Sequence, residues 1–198
     1  MHKGDAIWWD LHDWTATDTI PAVVGSFPEP FVHGQAGKRF PAVLECGATV
    51  ARACTRVSGE LSRAGVTASP QVIGAATGVD IATILVGPWS TLRGTLVAQV
   101  IDAGPGSSGV YARFTSSAGH GLELLDPKGH VVRTLGAGAG LIAASNEEGT
   151  GPTWVVTGTD AAGVAAAAAA FTPSRLHDHF ALVTKGGADY GVPLRGAS

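Results

Sequence analysis

The stretch Thr153-Trp154-Val155-Val156-Thr157-Gly158-Thr159-Asp160, running into the alanine-rich segment 161–170, decides the reading of this chain. A short apolar run rich in β-branched residues marks a strand buried on both faces. Gly158 ends it, Asp160 offers an N-cap oxygen, and the alanines follow as a helix. An earlier segment repeats the order. Ala82-Thr83-Ile84-Leu85-Val86-Gly87 is a strand, Pro88-Trp89-Ser90-Thr91 a turn and cap, and Leu92, Leu96, Val97, Val100 and Ile101 one helical face. Strand, glycine, cap and helix, twice over, predict helices laid on a sheet.

The flanking sequence fits that frame. Phe40-Pro41-Ala42-Val43-Leu44-Glu45 reads as a short strand, and Val50, Cys54, Val57, Leu61 and Ala64 recur at helical spacing until Gly65. Segments 74–80 and 102–109 read as loops. Next comes a meander: 110–114 alternates, and 122–125 and 130–135 flank Asp126-Pro127-Lys128-Gly129. In that turn Asp opens, Pro sets φ at the second position and Gly closes. Gly140-Leu141-Ile142-Ala143-Ala144 is a further strand candidate and 146–152 a polar loop. Pro173 and Ser174 punctuate the last helix, and 180–184 and 190–194 finish the sheet. The expected class is α/β, with α+β as the alternative: a mixed sheet with covering helices and an inserted antiparallel meander. Residues 40–198 read as one α/β domain and 1–39 as a separate N-terminal segment.

Composition excludes several function classes. Hydrophobic residues are 45% and charged residues 15% of the chain, against a usual charged share of about 25%, which argues against disorder. A net charge of −3 and a pI near 6.1 carry no basic stripe for nucleic acid. No Lys/Arg run suits an anionic membrane surface. The longest aliphatic stretch, 164–171, falls well short of the ~20 residues of a membrane span. Met1-His2-Lys3-Gly4-Asp5 leads into tryptophans rather than an apolar signal core, so no signal peptide is visible.

Cys46 and Cys54 are eight positions apart. Within one helix they would lie ~12 Å apart, too far to bond. A disulfide requires Cys46 to end a strand and Cys54 to sit in the helix that folds back. The alternative is two small buried thiols.

Candidate sites gather first in Trp8-Trp9-Asp10-Leu11-His12-Asp13-Trp14, which holds three of the five tryptophans. One reading is an alternating strand with one buried face. The other is a binding surface, on which Trp8, Trp9, Trp14 and the nearby Phe31 supply apolar area and Asp10, His12 and Asp13 orient a polar ligand. A hydrolase is the alternative class. Ser26 with His12 and Asp13 has the composition of a triad, without a G-x-S-x-G elbow. His177 and His179 would share one face of a strand and, with His12 and Asp13, suit zinc or a similar transition metal, without H-E-x-x-H or C-x-x-C spacing. Against this, Arg175-Leu176-His177-Asp178-His179 also reads as a solvated helix end leading into a strand, in which Asp178 satisfies a neighbouring backbone group or histidine. The acidic pairs Asp10/Asp13 and Glu147/Glu148 are general acid–base candidates. The turns at Gly87 and Gly158 occupy anion-binding positions, yet neither carries G-x-G-x-x-G or a P-loop lysine.

The opening Gly4-Asp5-Ala6-Ile7-Trp8 resembles the closing strands of the transcobalamin-like C-terminal domain, a β-grasp module in which a Gly-Asp pair leads into a tryptophan-bearing strand. The run 8–14, the segment Pro21-Ala22-Val23-Val24-Gly25-Ser26-Phe27-Pro28-Glu29-Pro30-Phe31 and Glu45-Cys46 are similar to secreted or envelope-attached bacterial proteins, of actinobacterial type, that carry such a module. The similarity is clearest over residues 1–50. It implies a β-grasp remnant in 1–39 and an exported parent, and it favours a Cys46–Cys54 disulfide. Transcobalamins bind a corrinoid, and no residue here carries that ligand over. The aromatic cluster, the low charge and the lack of a complete catalytic motif favour a non-catalytic module that binds a small molecule or a protein.

Overall fold

The computed structural model describes residues 19–34, 37–76, 78–116, 119–147 and 150–194. In chain order its elements are β1 (Thr19–Ala22), a 3-10 turn (Val24–Ser26), β2 (Ala42–Cys46), α1 (Ala51–Arg63), β3 (Pro70–Val72), β4 (Ala82–Pro88), α2 (Trp89–Leu92), α3 (Leu96–Asp102) and α4 (Pro105–Ser108). There follow β5 (Ala112–Phe114), β6 (Leu122–Leu125), β7 (Val131–Leu135), β8 (Gly140–Glu147), β9 (Thr153–Gly158), α5 (Ala161–Ala170), α6 (Pro173–Leu176), β10 (Ala181–Lys185) and β11 (Ala188–Val192). The class is α/β, as the sequence predicts.

The main sheet has the order β11-β10-β8-β9-β4-β2-β3. Strands β3, β2, β4 and β9 are mutually parallel, and β8, β10 and β11 extend the sheet antiparallel from β9. Side chains alternate across it. Along β9, Trp154 and Val156 enter the core beneath α1 and α5, whereas Val155 enters the core beneath α2, α3 and the meander. Burial on both faces explains why β4 and β9 are apolar almost throughout. The meander is a separate sheet of β5, β6 and β7, tied to the second core by Trp89 stacked on Phe114 at 4.2 Å. Its β6–β7 turn forms as expected: Gly129 N–H donates to the Asp126 carbonyl at 2.9 Å, and the Asp126 carboxylate accepts from the N–H groups of Lys128 and His130.

Two sequence expectations need correction. The helix expected from Leu92 to Ile101 is two, α2 and α3. Gly94 weakens the run, and the Thr95 hydroxyl donates to the Leu92 carbonyl at 2.7 Å, closing a turn there; Leu96 is consequently 60% exposed. The strand at Gly140 runs on to Glu147, into the segment read as a loop, and belongs to the main sheet rather than the meander. Strand β3 was missed, because three residues, one a proline, show no alternation. Upstream of β2, β1 pairs with β8, and Val24, Phe27 and Phe31 pack with Trp154 and Phe171.

Helix α5 lies unusually low on the sheet. A Cβ at Gly158 would come within 2.6 Å of the Gly163 carbonyl carbon and the Val164 nitrogen, and one at Gly140 within 2.8 Å of the Thr184 hydroxyl. At Gly163 itself a Cβ would collide with the Ala139 backbone. Backbone meets backbone there, and apart from the buried Val164 the rest of the helix follows on alanines. We therefore expect Gly163→Ala to cost about 1–3 kcal/mol through overpacking, seen as a lower denaturant midpoint with an unchanged slope. A wild-type midpoint would show that the helix can lift freely.

Candidate functional site

The carboxyl ends of the parallel strands are where doubly wound sheets place ligands, at the point where the chain reverses its direction of travel across the sheet. Here that point lies between β2 and β4, since β3 is added on one side of β2 and β4 on the other. Helix α1 covers one face of β2. The connection from β3 to β4 crosses the other face without a helix, and a side chain holds it. Glu45, 3% exposed, accepts hydrogen bonds from the N–H groups of Gly74 (2.9 Å) and Ala76 (2.6 Å). Both carboxylate oxygens are engaged by backbone, so this buried acid serves as a clasp.

One residue further on, the half-buried Cys46 ends β2 and bonds to Cys54 in α1, with Cα atoms 6.0 Å apart. This is the strand-end and returning-helix geometry that a bond at this spacing demands. Beyond it, Gly47 N–H donates to the Val86 carbonyl at 2.8 Å and fastens the two strand ends together.

The anion-binding positions are occupied or too small. Asp160 caps α5, accepting from Gly163 N–H and, through its other oxygen, from Gly138 N–H, both at 2.8 Å. A carboxylate thus already sits on the positive end of that helix. At Gly87 a Cβ would meet Leu92 at 3.2 Å, so this glycine answers to packing, and α2 behind it has only four residues.

The remaining candidates divide as follows. Trp8, Trp9, Asp10, His12, Asp13, Trp14 and Glu148 lie outside the described residues, and of Glu147 only the backbone is described. Phe31, expected among the ligand contacts, is 1% exposed, with its ring 5.2 Å from Trp154 and 6.3 Å from Phe27. Its area is spent on the core. The Ser26 hydroxyl lies 3.0 Å from the Val23 carbonyl and 3.2 Å from that of Glu29, which makes it a turn-forming group. His177 and His179 are not in a strand. They follow α6 in a turn where Asp178 takes a φ of +62°, a conformation that aspartate tolerates. His177 Nδ1 pairs with Asp178 at 2.9 Å, and the His179 ring lies against Gly191. The two imidazoles are therefore engaged separately, as in the helix-end reading. Among the described residues no group of three or more His, Cys, Asp or Glu side chains could hold a metal ion.

The fold does bring two candidate segments together. Val24 and Gly25 donate their N–H groups to the carbonyls of Phe180 (3.0 Å) and His179 (2.8 Å), which seats the Ser26 turn beside Asp178 and His179. Sequence reading missed the second pair there, His33 with Glu29, because i,i+4 spacing signals a pair only on a helix and residues 27–33 are a turn. Burial raises the Glu29 pKa, but the backbone N–H and imidazole of His33 outweigh it and hold the carboxyl below its ordinary value.

Compared with known proteins, the chain matches no family model, no curated protein and no solved structure.

Two variants test the strand-end geometry. Glu45→Ala strips two backbone donors of their acceptor and is expected to cost about 1–3 kcal/mol, with Glu45→Gln recovering part of it. Replacing both cysteines by serine releases a loop of eight residues, and the chain-entropy relation gives about 2.5 kcal/mol. Denaturant titration of each variant against wild type reads both. A Glu45→Ala protein as stable as wild type would show that the crossing loop does not depend on the clasp.

Proposed function

We propose that this chain is a non-catalytic binding module of an exported or envelope-attached bacterial protein, and that it meets a small molecule or a protein through the Trp8–Trp14 run. The observation that carries this reading is the division of the aromatic residues. The two cores close around Trp154, with Phe27, Phe31 and Phe171, and around Trp89, with Phe114. The other three tryptophans stand together upstream of β1, interleaved with Asp10, His12 and Asp13. Aromatic rings beside carboxylates and an imidazole combine apolar area with polar handles, the composition favoured at binding surfaces.

One structural feature supports the exported part. Disulfides persist in oxidising compartments, and Cys46–Cys54 is bonded. The resemblance of the opening to exported proteins with a β-grasp module points the same way. Among the described residues no helix is long and apolar enough to cross a membrane.

The test compares tryptophans. Trp154→Ala should cost about 3–5 kcal/mol, as deletion of a buried indole does. Trp8→Ala, Trp9→Ala and Trp14→Ala should each stay within about 0.5 kcal/mol of wild type, as surface substitutions do. If all three instead unfold the protein as Trp154→Ala does, those rings are core and the binding reading is lost.

A further inference from the structure

We propose that the outer face of α1 is a docking surface for an acidic helix of a partner protein, separate from the binding surface proposed above. Spacing builds the face. Ala53, Cys54, Val57 and Leu61 turn inward to the core. Arg52, Arg56, Gly59 and Arg63, at steps of four, three and four residues, therefore fall in one line on the opposite side. At a rise of about 1.5 Å per residue, the line runs roughly 16 Å along the helix.

Three features of that line break the rules for a helix that meets only water. Arg52 puts a cation in the first turn, which holds no acid, at the positive end of the helix dipole. Arg52 and Arg56 are like charges one turn apart, which destabilises a helix. Gly59 stands mid-helix, where only proline is worse, and packing does not require it: a Cβ there would meet nothing within 4 Å. Gly163 in α5 is the opposite case, since its Cβ would strike the Ala139 backbone. Among the described residues nothing offsets these costs. Arg52 and Arg56 are exposed and make no ion pair with any described residue. Arg63 has only an exposed pairing with Glu60, which holds it weakly. Local rules broken together, without a gain inside the chain, mark a face shaped for something outside it.

The chemistry of the face selects its occupant. Three guanidinium groups without a lysine suit carboxylates, which the planar fork grips through two parallel hydrogen bonds. Gly59 opens a notch between Arg56 and Arg63. A ridge of side chains from a second helix fits such a notch, and acids three or four residues apart along that ridge reach the arginines on either side. A flat anionic surface, such as a membrane, has no ridge for the notch and would meet the whole chain, whose net charge is −3. A single helix meets the positive line alone.

The experiment uses the full chain and a labelled, alanine-based helical peptide with glutamates along one face, read by fluorescence anisotropy. We expect saturable binding that weakens as salt rises, is absent with glutamine in place of glutamate, and falls about tenfold in Arg56→Glu. Gly59→Ala separates docking from structure. It should raise the denaturant midpoint, because alanine is the better helix former, yet weaken peptide binding severalfold by filling the notch. Wild-type affinity in Gly59→Ala, or no binding of the peptide by the wild-type chain, would overturn the proposal. So would binding of phosphatidylglycerol vesicles in preference to the peptide, or a dimer in sedimentation that is lost in Arg56→Glu, which would give the face to a membrane or to a second copy. None of these outcomes touches the Trp8–Trp14 reading, which is tested on other residues.

Discussion

Helix α5 resting backbone-to-backbone on β8 and β9 is the constraint from which the rest of the structure follows. Gly140, Gly158 and Gly163 meet at one point, where any Cβ would strike a main-chain or buried side-chain atom. With the helix so low, Val164, Ala167, Ala168 and Ala170 suffice to close the core above Trp154 and Val156. The Asp160 carboxylate then reaches both the first turn of α5 and the Gly138 N–H that precedes β8. One side chain thus fixes the helix, the end of β9 and the start of β8. Because β8 pairs with β9 along one edge and with β10 and β1 in succession along the other, a shift of α5 would propagate into the antiparallel half of the sheet.

The parallel half depends on a different economy. Crossing over β2 normally takes a helix on each face, and here only α1 is present. The second face is covered by the short β3–β4 connection, which has little apolar area to contribute and is held instead by Glu45. Burying an acid is costly unless its oxygens are satisfied, and two backbone N–H groups satisfy this one. The neighbouring Cys46–Cys54 bond fixes the first face at the same height along the strand. Clasp and crosslink therefore act back to back on successive residues of β2, one toward each layer.

Much of this was legible in the sequence because the residues involved obey short-range rules. The spacing from Val50 to Leu61 gave α1, Asp126 to Gly129 gave the β6–β7 turn, and the apolar runs ending at Gly87 and Gly158 gave the two central strands. What was not legible depended on distance. Glu45 looks like an ordinary strand-end acid until Gly74 and Ala76 are placed over it. Phe31 looks like part of an aromatic surface until Trp154, more than a hundred residues later in the chain, is brought within 5.2 Å of it. His177 and His179 suggested a shared strand face by alternation alone, and the proline-initiated α6 with the left-handed Asp178 turned them apart. The glycine contact at Gly163 was equally hidden, since nothing local distinguishes a packing glycine from a weak point in a helix.

The tryptophans show what such tertiary information does to a functional reading. Trp89 and Trp154 are fully enclosed, and neither indole N–H has a hydrogen-bond partner among the described residues. An unsatisfied buried donor costs about 1–3 kcal/mol, so these rings are retained for apolar area and shape against Phe114 and Phe171. Their sequence contexts already differ from that of the opening run. Trp89 follows Pro88 and Trp154 precedes Val155, with no ionisable neighbour on either side. Trp8, Trp9 and Trp14 instead have Asp10, His12 and Asp13 among them, groups that would each need a partner if enclosed. A core built on that run would have to satisfy two carboxylates and an imidazole within seven residues, whereas a surface built on it leaves them solvated. The desolvation cost of those side chains, more than the aromatic count, is the physical argument behind the proposed binding surface.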